Sequence, residues 1–101
     1  MLIEFSVVPI GASSSVGAKV AEVLDLVDSR GLAYKLTPMG TIVEGEWDEL
    51  LSLVKECHMR MLKHEERVMT RIIIDDRKGK TGNIGRKVRS IEERLGRSLK
   101  K

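Results

Sequence analysis

The chain has 101 residues, 33% of them charged, a formal net charge of only +3, and one Trp, one Tyr and one Phe. That length supports a single domain over residues 1–101 whose folding hides roughly 65% of the extended chain's surface. The lone Cys57 excludes an internal disulfide, no apolar run is long enough to cross a bilayer, and Leu2-Ile3-Glu4-Phe5 lacks the basic region of a secretory leader, so a cytoplasmic location is expected.

Leu2 to Ile10 is rich in apolar and β-branched residues and closes at Pro9 and Gly11, which predicts a strand. Ile3, Phe5 and Val7 share one face of it; Leu2, Glu4, Ser6 and Val8 share the other, half-polar face. Ser13-Ser14-Ser15 offers helix caps, and Val16, Val20, Val23, Leu24 and Val27 follow at helical spacing up to Gly31. Two short strands from about Leu32 to Glu46 then turn at Pro38-Met39-Gly40. A second helical stripe runs through Trp47, Leu50, Leu51, Val54, His58, Met61 and Leu62. Val68 to Asp75 reads as a fourth strand, with Ile72, Ile73 and Ile74 apolar on both faces. A third helix, capped by Thr81 or Asn83, carries Ile84, Val88, Ile91 and Leu95 and stops at Gly96.

The order β-α-β-β-α-β plus a C-terminal helix, with short right-handed connections, points to an α+β ferredoxin-like sandwich. Its sheet is antiparallel in the order 4-1-3-2, with two helices on one face. The second face would keep Leu2, Val8, part of Ile72–Ile74 and part of the hairpin uncovered. Such a face is a contact surface, and docking of sheet against sheet in a homodimer or homotetramer is the simplest cover. The alternative is that the third helix folds over that face within one chain.

Candidate chemistry is sparse. His58 falls on an apolar helix stripe and reads as a packed residue, while His64 sits at a helix end where it complements the dipole. Cys57 and His58 point about 100° apart on a helix and make no nucleophile–base pair. No Cys/His spacing suits a metal, and Asp75-Asp76 reads as a solvated or Arg-paired strand end. Gly79-Lys80-Thr81 lacks the upstream glycine of a phosphate loop, since position 74 is Ile74. The basic C-terminal region, from Arg77 to Lys101, could attract anions or nucleic acid, but interspersed acids and missing aromatics favour a solvated face. The remaining candidates are small polar groups around the first strand and the hairpin: Ser6, Thr37, Thr41 and Glu44. Hydroxyl donors and a carboxylate acceptor suit a heterocycle with ring nitrogens and an amine. Alternation places Thr41 and Glu44 on opposite faces unless a bulge intervenes.

Ser6-Val7-Val8-Pro9-Ile10-Gly11, Gly31-Leu32-x-Tyr34-x-Leu36-Thr37-Pro38-Met39-Gly40-Thr41-x-x-Glu44-Gly45 and Ile74-Asp75-Asp76-Arg77 with Lys80-Thr81 resemble the thiamine-binding-protein family of YkoF-like small ferredoxin-like domains. The resemblance covers nearly the whole chain. It implies a non-enzymatic, cofactor-free oligomer, as a dimer or tetramer with paired sheets, some members of which bind thiamine or its pyrimidine part. It points to Ser6, Ser13, Ser14, Ser15, Thr37, Thr41 and Glu44 as ligand-binding positions. A ligand-free structural or regulatory oligomer is the competing expectation.

Overall fold

The computed structural model describes residues 1–11, 16–78 and 84–101, with the backbone alone for Val16. Its elements are β1 (Leu2–Pro9), α1 (Val16–Ser29), β2 (Tyr34–Thr37), β3 (Gly40–Glu44), α2 (Trp47–Leu62), β4 (Val68–Asp75) and α3 (Arg86–Leu95). The four strands form one antiparallel sheet in the order β2-β3-β1-β4. This is the expected ferredoxin-like order, read from the opposite edge.

Register assigns the two faces, because directly paired residues share one. Ile3 pairs with Val43 and Ile74, and Phe5 with Thr41 and Ile72. That face carries α1 and α2. Ile3 and Val43 are fully buried there with Val27, Leu50, Leu53, Cys57 and Met61, and Phe5, Val23 and Val54 complete the cluster. Each buried aliphatic side chain adds about 1.5–3 kcal/mol relative to exposure. The α2 stripe is rotated slightly from its expected position. Leu53 and Cys57 join the core, whereas Trp47, in the first turn, is 51% exposed.

The helix stops behave as glycine stops should. Gly31 and Gly96 both sit near φ +70°, a conformation that carries a steric penalty for residues with a Cβ. Gly40 has another reason to be glycine. A Cβ at that position would lie 2.9 Å from the carbonyl oxygen of Phe5, so the hairpin turn closes directly on β1.

α3 differs from α1 and α2. Its helix is amphipathic, yet none of its side chains is buried, and Ile91 and Leu95 are about half exposed. Its own C-terminal turn is well tied. Glu92 accepts hydrogen bonds from the Leu99 amide, Ser98 Oγ and Lys101 Nζ. The radius of gyration is 15.3 Å, above the ~13 Å of a compact domain this size. The alternative reading, in which α3 closes the second sheet face within one chain, finds no buried side chain on α3 to support it.

Between α1 and the end of α2 with the residues that follow it, Glu22 receives Arg60 Nη1 at 3.1 Å and His64 Nε2 at 3.2 Å, and Lys19 pairs with Glu65. The Arg60 hydrogen bond, assisted by His64, holds the Glu22 carboxyl below the usual carboxylate range. A depressed carboxyl pKa stabilises the fold above the unfolded-state value and loses that effect as pH falls through the folded-state value. Glu22→Gln should therefore lower the melting temperature at neutral pH, and the gap to the parent should close on acidification through the carboxylate range. Gly40→Ala should destabilise by about 1–3 kcal/mol, because β3 must move off β1; thermal unfolding should show a drop of about 4–8 °C per kcal/mol.

Candidate functional site

The face opposite α1 and α2 is the candidate site. Leu2 pairs with Glu44 and Asp75, Glu4 with Ile42 and Ile73, Ser6 with Arg71, and Val8 with Met69. These residues therefore share one uncovered face, and β2 adds Lys35 and Thr37 by its pairing with Ile42 and Gly40. Glu4, Ser6, Ile42 and Glu44 are half-buried; Val8, Met69 and Ile73 are exposed. The surface is thus an apolar ground of Leu2, Val8, Ile42, Met69 and Ile73 crossed by the carboxylates of Glu4, Glu44 and Asp75, the hydroxyls of Ser6 and Thr37, the guanidinium of Arg71 and the ammonium of Lys35.

The alternation that brings Ser6 and Glu44 together also separates them from Thr41. No bulge intervenes in the β1–β3 pairing. Thr41 turns toward the helices and is only 6% exposed, next to Phe5. Thr37 lies on the open face, but its hydroxyl organises the hairpin: Oγ1 donates to the Gly40 carbonyl at 2.8 Å and accepts the Met39 and Gly40 amides at 3.2 and 3.1 Å. The threonines flanking the turn thus have separate situations, one tying the turn and one inside the core. Ser13, Ser14 and Ser15 lie outside the described residues, as do Gly79 to Asn83.

Glu44 makes a contact that periodicity does not reveal. Its Oε1 accepts the Ile84 amide at 3.0 Å, which fastens the start of the C-terminal segment beside β3. A carboxylate offers about four acceptor positions, so Glu44 retains capacity for a second donor. Glu4, not part of the expected ligand set, joins the same face. Its signal in the sequence is its place two residues before Ser6 on an alternating strand.

The other reactive groups are engaged or sealed. Cys57 is fully buried, and burial pushes its thiol up to about 11. His58 Nδ1 is hydrogen-bonded to Thr70 Oγ1 at 2.6 Å, on the helix side of β4. His64 pairs with Glu22 on α1. Among the described residues, no three His, Cys, Asp or Glu side chains cluster as metal ligands, and no helix is long and apolar enough to cross a membrane.

Comparison with known proteins places the chain. The thiamine-binding protein family model matches residues 3–92, and the chain belongs to that family. A UPF0045 protein of Methanocaldococcus jannaschii is 36% identical over 90 residues, covering 89% of this chain and 90% of its own. The crystal structure of that protein matches with a TM-score of 0.82 over 91% of this chain and 95% of the other, at 35% identity. The crystal structure of a Thermotoga maritima protein named for thiamine biosynthesis or salvage matches with a TM-score of 0.79 at 26% identity, covering 89% of this chain and 96% of that one.

Because the Ile84 amide rests on Glu44, Glu44→Ala should speed hydrogen exchange at Ile84 by about tenfold, given a hydrogen bond to a charged group worth about 1.5 kcal/mol. Exchange at the α2 core amides should be unchanged, which separates local release from global destabilisation.

Proposed function

We propose that this member of the thiamine-binding protein family is a cytoplasmic, non-enzymatic binding protein for thiamine or a related pyrimidine. It works as a homo-oligomer in which open sheet faces pack against one another and frame the ligand. One observation carries this reading: Ser6, Glu4 and Glu44 stand on the same uncovered sheet face as Leu2, Val8, Ile42 and Ile73. A flat heterocycle needs apolar surface above and below its ring and a few polar groups at its edge. Aliphatic side chains of two facing sheets supply the first requirement. Glu44 and Ser6 supply the second, with the carboxylate accepting from an exocyclic amine and the hydroxyl meeting a ring nitrogen. Glu4 and Glu44 also favour a cationic ligand electrostatically. The naming of the Thermotoga maritima neighbour for thiamine biosynthesis or salvage supports the same ligand class.

Cys57 is sealed in the core, and His58 is engaged with Thr70.

Isothermal titration with thiamine, its aminopyrimidine alcohol and thiamine phosphate tests the reading. At least one should release or absorb heat and raise the melting temperature. Glu44→Ala should weaken that ligand by about 1–3 kcal/mol, or roughly 5- to 150-fold. Absence of both heat and thermal shift at millimolar concentrations of all three overturns it.

A further inference from the structure

The backbone around Glu44 is tied on both sides. Its own amide donates to the Ala33 carbonyl at 3.0 Å, and the amide of Gly45 donates to the Met1 carbonyl at 3.1 Å. Only the side chain is left to turn, and the Ile84 amide takes up that freedom by donating to Oε1 at 3.0 Å. Among the described residues no donor reaches Oε2, and Glu44 forms no ion pair. The head group is therefore held at one oxygen and open at the other.

The group that holds it is part of the backbone, and that has a chemical consequence. A hydroxyl or a side-chain amide exchanges donor and acceptor roles by rotation, whereas a backbone N–H only donates. Whatever atom of residue 44 meets Ile84 must then be an acceptor. The identity of residue 44 decides what its other head-group atom offers. Glutamate offers a second acceptor. Glutamine, with its carbonyl oxygen bound to Ile84, offers an NH2 donor instead.

We propose that Glu44 is the specificity-determining residue of the open face and that the Ile84 N–H is its positioning group. Held at Oε1, the carboxylate presents Oε2 as a fixed acceptor, which selects a pyrimidine carrying an exocyclic amine over its oxo counterpart, in which a carbonyl replaces that amine. This inference rests on the binding reading above and adds a selection rule to it. An oxo group at that place sets acceptor against acceptor and leaves both unpaired, the mismatch that a polar site rejects most strongly. The arrangement also links the site to α3. Coupling is reciprocal, so if the Ile84 bond strengthens ligand binding, the ligand strengthens the Ile84 bond by the same factor.

Calorimetric titration of four chains with the aminopyrimidine alcohol and its oxo counterpart tests the rule. The parent should bind the amino compound at least about tenfold more tightly. Glu44→Gln should reverse the preference, because Ile84 keeps the carbonyl oxygen and turns the NH2 toward the ligand. Ile84→Pro removes the positioning donor; it should keep the preference for the amino compound but weaken its binding by about fivefold. The double variant should bind the two compounds alike, since an unheld glutamine turns either atom to the ligand. Protection of the α2 core amides from hydrogen exchange checks that each variant is folded. A further measurement needs no variant: saturating amino compound should slow exchange of the Ile84 amide in the parent by about the same fivefold factor.

A Glu44→Gln chain that still prefers the amino compound overturns the inference, as does a double variant that reverses preference as fully as the single one. Unchanged Ile84 exchange in the liganded parent overturns the role of Ile84. A parent that binds both compounds equally overturns the selection rule alone, whereas a parent that binds neither overturns the binding reading beneath it.

Discussion

Two helices cover one face of a four-stranded sheet, and most features of this molecule follow from that asymmetry. On the covered face, Ile3 and Phe5 from β1 meet Val43 from β3 and the α2 residues Leu50, Leu53, Val54, Cys57 and Met61 in a sealed core. The central position of β1 makes this possible: it is bonded to β3 and β4 at once, so its inward side chains are surrounded on every side. Burial falls off toward both sheet edges. The same Cβ alternation that hides Ile3 and Phe5 turns Leu2, Glu4, Ser6 and Val8 to the other face, away from α1 and α2.

An uncovered face of this composition is neither a core nor an ordinary surface. Leu2, Ile42 and Ile73 favour contact with another apolar surface, and Glu4, Glu44 and Arg71 must remain solvated or meet partners when contact forms. In the proposed binding mode, a small polar heterocycle held between two such faces would reconcile both demands, since its edge supplies donors and acceptors while its ring supplies apolar area. Glu44 occupies a pivotal place in that picture. It lies at the end of β3 and already holds the amide of Ile84, so it joins the sheet to the segment leading into α3.

The sheet edges show a second asymmetry. β2 is short and guarded by Lys35, whereas β4 offers a long run of exposed isoleucines flanked by an arginine and an aspartate. Natural sheets generally protect an edge of that kind unless it has a partner. α3, with its unburied Ile91 and Leu95, retains a further apolar stripe outside the core.

The succession of elements was readable from the chain because local signals agree with the tertiary arrangement. Period-two alternation marks β1, Pro38-Met39-Gly40 marks the hairpin, and Gly31 and Gly96 stop helices with the positive φ that glycine tolerates. Short connections and strand handedness then leave few topologies, and the family match extends over residues 3–92. Pairing register was not readable in that way. Thr37 and Thr41 look equivalent across the turn, yet backbone geometry commits one hydroxyl to the turn and sends the other into the core. The contact from Ile84 to Glu44 spans 40 residues of sequence and has no local signature. The exposure of Ile72–Ile74 depends on β4 lying at an edge, a property of strand order rather than composition. Local propensities act over a few bonds and so are written in the chain; which face is covered, and which edge is left unpaired, is decided only when distant segments compete for the same neighbours.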